Sequence, residues 1–387
     1  MIFNPSQNCD GLLLCKAEMI CYICLYIWVL SHMKVKILGA GSIGNHLAQA
    51  ARRMGWDVTI VDKDPEALRR MREDIYPTRY GSWDEAIKLC ISADEPKNGF
   101  DVICIGTPPH VRMPLALAAL RERPKVLLLE KPLCQPTLDG LHEFLSEYRE
   151  QKETIAIVGY DHALSPSIQY VVDLLKQKDM GDMVTLDVEF REHWGGIFKA
   201  HPWLSGPKDS YLGFTAKGGG ASGEHSHALH LWQYLAKEAG LGSWKNMSVN
   251  YDMHKDKDVE YDKIASFVFT TENGKLGRVI QDVVTSPTRK WARIQGTSGF
   301  IEWICNGHAD GDVVRHQGDG SVVQEKVFTK KRPDDFYQEM LHIKNLTEGD
   351  ALSKDSPVSL EGALSVMSVL AAAYKEIAEE GVAIPQL

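Results

Sequence analysis

Residues 37–44 read Ile-Leu-Gly-Ala-Gly-Ser-Ile-Gly, and an aspartate, Asp62, closes the next apolar run. The octet follows a short apolar stretch at residues 34–38 and leads into a helical pattern at 45–54. Gly39, Gly41 and Gly44 therefore stand at the G-x-G-x-x-G spacing between a strand and a helix, with Ser42 and Ile43 in the turn. Gly39 permits the tight turn, Gly41 lets a pyrophosphate approach the backbone, and Gly44 lets helix and strand pack closely. The helix start then offers free N–H groups and a partial positive charge to phosphates. Asp62, at the end of the second strand, is placed to accept hydrogen bonds from both adenosine ribose hydroxyls. Its charge repels a 2′-phosphate, so NAD is expected rather than NADP.

The chain has 387 residues, enough for two domains. It is 44% hydrophobic and 25% charged, an ordinary globular balance, with a net charge of −9. No basic run stands out, so a nucleic-acid partner is not expected. Of eight cysteines, Cys9, Cys15, Cys21 and Cys24 crowd the first 24 residues and Cys90, Cys104, Cys134 and Cys305 are scattered. The scattered ones read as reduced thiols, which points to a cytoplasmic protein. Residues 19–30 are uncharged but too short to span a bilayer, and no stable membrane association is expected. Residues 1–32 are expected to form an extension outside the fold.

From residue 34 to about 161, apolar strands at 35–38, 58–61, 102–105, 126–129 and 155–158 alternate with helical stretches such as 65–73 and 114–121. Continuous apolar strands separated by helices imply a parallel sheet covered on both faces. After a helix at 167–178 the pattern turns to alternating strands, at 184–190, 246–251, 265–270, 277–282, 292–296 and 300–303. Helices at 224–238, 334–346 and 360–380 accompany them. Residues 191–223 show little periodicity and read as a loop over the site.

Two clusters carry chemistry. Glu130-Lys131-Pro132 follows the strand at 126–129, and Thr107-Pro108 ends the strand before it. Both sit where ligands bind in parallel sheets. Further on, Gly218-Gly219-Gly220-Ala221-Ser222-Gly223-Glu224-His225-Ser226-His227-Ala228-Leu229-His230 opens a helix. Helical spacing brings Glu224, His227 and His230 toward one face. Acid–base work fits this cluster better than metal ligation, because H-x-H on a helix converges poorly, and no metal is expected.

Gly39-x-Gly41-x-x-Gly44, Thr107-Pro108, Glu130-Lys131-Pro132, Gly159-Tyr160-Asp161 and Gly218-Gly219-Gly220 with His227, in this order, resemble the glucose–fructose oxidoreductase / inositol dehydrogenase (Gfo/Idh/MocA) family. The resemblance implies an α/β protein of two domains. Residues 33–161 would form a Rossmann domain, a doubly wound parallel sheet. Residues 162–387 would form an α/β domain with a large open, mostly antiparallel sheet for substrate binding and assembly into a homodimer or homotetramer. It maps the family lysine to Lys131 and the family histidine to His227. In the common form D-x-G-x-H-x-x-D, Gly223 stands at the first aspartate and His230 at the last. Cofactor contacts are expected at Gly39, Gly41, Ser42, Ile43, Gly44, Asp62, Thr107, Pro108, Glu130 and Lys131. His227 would be the general base, Lys131 would stabilise alkoxide charge, and Glu224 or His230 would orient the imidazole. Tyr160, Asp161, Trp194, Lys217 and Gln281 are expected to meet a sugar, amino sugar, cyclitol or nucleotide sugar. A glycosidase or lyase using transient redox, and a non-catalytic dinucleotide sensor, are the alternatives.

Overall fold

The computed structural model describes residues 32–199, 201–331, 333–349 and 355–378. The expectation for residues 1–32 therefore lies, His32 apart, outside the described residues. The first sheet contains β1 (Lys34–Leu38), β2 (Asp57–Asp62), β3 (Lys88–Ile91), β4 (Val102–Ile105), β5 (Val126–Leu129) and β6 (Ile155–Val158), in the order β3-β2-β1-β4-β5-β6. Every pairing in it is parallel. All residues of β4 and β5 are buried, as helices on both faces require. The strand order reverses between β1 and β4, which opens a crevice at their carboxyl ends.

The connecting helices are α1 (Ser42–Arg53), α2 (Pro65–Arg70), α3 (Tyr76–Tyr80), α4 (Pro109–Arg121) and α5 (Leu141–Glu150), with a π-turn at Met71–Ile75 between α2 and α3. Helix α4 starts five residues before the expected 114, because Pro109 occupies the first turn, where a missing N–H costs nothing. Strand β3 was not expected from the sequence. It is a four-residue edge strand with only partial burial, and its apolar run is just Leu89-Cys90-Ile91.

Helix α6 (Pro166–Gln177), capped by the Ser165 hydroxyl accepting from Ile168 N–H, leads into the second sheet. That sheet holds β7 (Met183–Arg191), β8 (Trp244–Lys255), β9 (Glu260–Thr271), β10 (Leu276–Asp282), β11 (Arg289–Gly296), β12 (Phe300–His308), β13 (Gly311–Gln317) and β14 (Gln324–Thr329). The order is β14-β13-β12-β11-β7-β10-β9-β8, antiparallel except where β7 meets β10. One face is covered: Leu186, Val188, Phe190, Ala292 and Ile294 are fully buried there. The other carries ion pairs such as Arg278–Asp187 at 2.9 Å and Arg289–Glu189 at 2.8 Å. Strands β13 and β14 also went unforeseen. The latter is an exposed edge with polar residues on both sides, so it lacks the period-2 signal.

Between the sheets' strands, residues 191–223 are more ordered than a loop. They contain α7 (Trp194–Lys199) and three single-turn 3₁₀ segments. The expected helix at 224–238 is two helices, α8 (Gly220–Glu224) and α9 (Ser226–Glu238), broken at His225. The last helices, α10 (Asp334–Glu348) and α11 (Leu360–Ala378), return toward the first sheet. Phe336 of α10 stacks on His46 of α1 with centroids 4.5 Å apart, and Arg53 pairs with Asp334 at 3.2 Å. Val158 N–H donates to the Val358 carbonyl at 2.9 Å. The apolar stripe Leu364, Met367 and Leu370 of α11 is buried core. Among the described residues, no helix is long and apolar enough to cross a membrane.

The glycine spacing is enforced sterically at Gly44, where a Cβ would collide with the Gly39 carbonyl oxygen. Gly44→Ala is expected to destabilise the protein by about 1–3 kcal/mol through overpacking. Chemical denaturation of the two proteins reads the difference.

Candidate active site

The crevice between β1 and β4 has the shape a dinucleotide needs. Gly39 has φ +112°, open to glycine, and its Cβ position faces Gly106 at the end of β4. Nothing lies within 4 Å of a Cβ at Gly41, so the backbone there is open to a phosphate. Ser42 and Ile43 begin α1, whose amino end points at that opening. Asp62 accepts from Ala40 N–H at 2.7 Å with one carboxylate oxygen and from Asp64 N–H at 2.9 Å with the other. Each oxygen keeps a further lone pair, so the carboxylate remains an acceptor for ribose hydroxyls. His110, after Thr107-Pro108-Pro109, is held below its usual range by burial and then by Lys217, Arg112 and Lys63. Their charges make this side of the crevice positive, and with the open turn at Gly41 and the α1 amino end the crevice fits a dinucleotide.

Lys131 leaves the end of β5 in a loop that Arg112 fastens. The Arg112 guanidinium, 2% exposed, donates to the carbonyls of Thr107, Glu130, Pro132 and Leu133. The ammonium of Lys131 then crosses to the second sheet's helices. It donates to the Glu224 carbonyl at 2.8 Å and pairs with Glu224 Oε2 at 3.3 Å. The glycine run makes this approach possible. A Cβ at Gly218 would lie 2.9 Å from Pro109 and 3.5 Å from Pro132, and one at Gly223 would strike the Gly218 carbonyl. Asp262, buried in β9, accepts from Ser222 N–H at 2.7 Å and the Thr215 hydroxyl at 2.8 Å. Burial raises its carboxyl to about 6.

The break at His225 separates the expected partners. Glu224 faces Lys131, while His227, one turn into α9, has Asp161 Oδ1 3.7 Å from its Nδ1. The imidazole is pushed well below its ordinary range, first by burial, then by Lys131, His162, Lys290 and His230. It is therefore neutral at pH 7, the form a base requires. His230 lies behind it, 3% exposed and stacked on Tyr160 at 4.2 Å, and burial holds it near 3. The helix break turns Glu224 toward Lys131 and His230 faces Tyr160, and the carboxylate near His227 Nδ1 is that of Asp161.

Other expected positions are placed as follows. Tyr160 is fully buried. Trp194 packs in a small satellite core with Tyr261, centroids 5.6 Å apart. Gln281 is buried and donates from its side-chain amide to the His225 carbonyl, which fastens the helix break. Lys217 lies over the Phe214 ring at 4.1 Å. Asp161, His162 and His227 each offer one ligand atom within 4.8 Å of one another. A metal there would occupy the imidazole lone pair that proton transfer needs.

Two acids behind the site escaped sequence reading as a pair. Glu130 is raised to about 7 by burial, with Arg112 and Lys131 opposing and Asp161 adding. Glu339 of α10, 2% exposed, is raised well above its usual range by burial, then by Glu130, Asp161 and Asp335. No sequence signal ties residue 339 to residue 130, since only the return of α10 brings them together.

The comparisons with known proteins agree with this geometry. Residues 33–160 match the GFO_IDH_MocA model, described as an oxidoreductase family with an NAD-binding Rossmann fold. The chain carries the NAD-binding domain of the Gfo/Idh/MocA oxidoreductase family. Its cofactor is NAD, and it is an oxidoreductase. Among curated proteins, none matches the sequence. Among solved structures, levoglucosan dehydrogenase in complex with NADH and L-sorbose is 17% identical, with TM-score 0.69. The match covers 92% of this chain and 100% of that one. An NAD-binding oxidoreductase from Klebsiella pneumoniae is 15% identical, with TM-score 0.70 and the same coverage, 92% and 100%. An oxidoreductase from Agrobacterium radiobacter, in complex with NAD⁺, L-tartaric acid and magnesium, is 18% identical, with TM-score 0.68, covering 89% of this chain and 96% of that one. At these identities the likeness is one of fold, and it extends across both sheets of this chain.

The acid pair has a pH signature. A carboxyl raised in the folded state stabilises fully below its unfolded value near 4.5 and loses that contribution as pH rises through the folded value. Glu339→Gln keeps the neutral shape and removes the ionisation. Its melting temperature relative to the parent protein should rise steadily from pH 5 to pH 8, and parallel pH profiles would refute the assignment.

Proposed function

We propose that this protein is an NAD-dependent dehydrogenase that oxidises a secondary alcohol of a carbohydrate-type substrate, or reduces the corresponding ketone. One observation carries the reading. Lys131, from the carboxyl end of a parallel strand, reaches the helices over the other sheet at Glu224, and its charge bears on the His227 imidazole there. The fold alone would not require a cation and a neutral imidazole there. The levoglucosan dehydrogenase likeness, whose structure carries L-sorbose and NADH, supports a polyhydroxylated substrate.

The roles follow from the groups present. In oxidation the hydroxyl proton passes to the neutral His227 imidazole, and the Asp161 carboxylate steadies the imidazolium that results. Lys131 donates to the same oxygen and lowers the cost of its developing negative charge, while Glu224 fixes the ammonium in place. When bound, NAD⁺ accepts the hydride from the carbinol carbon. Burial keeps the imidazole ready to accept a proton at neutral pH. The same burial limits its lifetime as a cation, so Asp161 contributes most once the proton has moved.

Lys131→Met and His227→Asn should each lower turnover by about 10²–10⁴-fold. Both variants should still bind the cofactor, and for His227→Asn its affinity should change by less than about threefold, since that residue lies outside the expected cofactor contacts. NAD⁺-linked oxidation of a panel of sugars and cyclitols, followed by both NADH absorbance and product mass, makes the measurement. Altered product without accumulated NADH would assign the transient-redox alternative instead. Separately, Asp62→Ser should lower the NAD over NADP preference in kcat/KM at least about tenfold, because the ribose acceptor and the charge that repels a 2′-phosphate leave together.

A further inference from the structure

The covered face of the second sheet ends in charge. Along β7, Leu186, Val188 and Phe190 face the helices, and the same alternation carries on to Glu192 just past the strand. Along β11, Ile294 and Ala292 share that face, and Lys290 continues it. Lys290 stands directly opposite Phe190 in the ladder, so both side chains leave the sheet on one side. Glu192 Oε2 and Lys290 Nζ meet at 3.1 Å.

This pair lies beside the base and is not buried behind it. Phe190 stacks against His227 with centroids 6.4 Å apart and 21° between the planes, and Lys290 Nζ is 5.7 Å from the same Phe190 ring. Lys290 acts on both His225 and His227, as Lys131 does from the other side. The side chains of Lys290 and Glu192 keep 21% and 25% of their surface exposed, in contrast to the fully buried stripes they continue. Helix α7 passes over Glu192 with Gly196, where a Cβ would stand 3.1 Å from Oε1, so no side chain covers the carboxylate from that residue.

We propose that Glu192 and Lys290 form a diol-binding subsite at the far end of the substrate surface. It grips two adjacent hydroxyls of a neutral polyol while the reacting carbinol lies between Lys131 and His227. This rests on the carbohydrate reading above and refines it to uncharged substrates. A carboxylate accepts from two vicinal hydroxyls and an ammonium donates to one of them, so the paired charges suit a neutral diol. An acidic sugar would instead bring its own negative charge against Glu192. One step of two residues along a strand is about 6.6 Å. Glu192 is set off from Phe190 by that step, while Lys290 stands opposite Phe190, so the pair flanks the ring that stacks on the imidazole, within the span of a six-membered ring and its substituents.

The test is binding to the NAD⁺-saturated protein, measured by ligand-observed NMR with myo-inositol, D-glucose, its single-deoxy analogues and D-glucuronate. A neutral polyol should bind, and removal of one of two neighbouring hydroxyls should weaken it at least about tenfold. Lys290→Met and Glu192→Gln should weaken the parent sugar to the same degree and no longer distinguish the deoxy analogues. Lys290→Arg should restore part of the affinity. Unchanged NAD⁺ affinity and melting temperature show that the variants are folded. Binding that ignores Lys290, binding of glucuronate alone, or no polyol bound by the unaltered protein would each overturn the subsite. Polyol binding that needs Lys290 but produces no NADH would uphold the subsite and overturn the dehydrogenase reading.

Discussion

The ammonium of Lys131 is the point at which two independently built halves become one site. It starts at the end of a parallel strand and terminates on the Glu224 carbonyl and carboxylate, ninety-three residues on in sequence. Such a contact holds only if both ends are rigid. On the first side, Arg112 spends its donors on four backbone carbonyls of the surrounding loops, which removes the freedom of residues 130–133. On the second, the glycine run brings backbone against Pro109 and Pro132, and Gln281 fastens the break at His225. An exposed lysine–glutamate pair is worth little in water. Here its value is geometric, because it holds a cation between the dinucleotide crevice and the helices that carry Glu224 and His227.

Burying titratable groups around this contact has a price in stability, and the molecule distributes it by sign. His227, His225 and His230 are all held toward the neutral form, first by burial. Glu130 and Glu339 are held toward the protonated form for the same reason. Near pH 7 the histidines are neutral and Glu339 is protonated, while Glu130, raised to about 7, is partly ionised beside Arg112. The histidines weaken the fold as pH falls below about 6.5, whereas the acids weaken it as pH rises above about 4.5. The opposition leaves a range near neutrality in which His225, His227 and His230 are all unprotonated.

What the sequence reveals and what it conceals divide along physical lines. The nucleotide crevice was legible because every determinant lies within thirty residues: strand, three glycines, helix start and Asp62. Lys131 and His227 stood out through local motifs. The helix break at His225 was not legible. Residues 224–238 keep a helical pattern, and the constraint that ends α8 comes from Gly218, Gly223 and β10, which are contacts rather than periodicity. Asp161 was read as a substrate contact, and its place 3.7 Å from His227 Nδ1 carried no sequence signal. Glu339 and Lys290 carry no motif. Their significance comes from the return of α10 and from cross-strand register, and register appears only after the sheet is paired.

The arrangement also separates two kinds of specificity. The groups proposed to move the proton and steady the charge, Lys131 and His227, are locked by backbone carbonyls, helix packing and a glycine cradle. Substitution near them disturbs the junction of both sheets. Glu192 and Lys290 instead sit at the ends of buried strand stripes, where a side chain can change without emptying the core behind it, since Phe190, Ala292 and Ile294 already fill that space. A two-residue step along a strand moves a side chain across the substrate surface but keeps it on the same face. An open sheet against a fixed cofactor domain can therefore alter what it grips while the position of the base stays constant. On the proposed reading, the strand ends, more than the histidine cluster, are where the choice of substrate would be made.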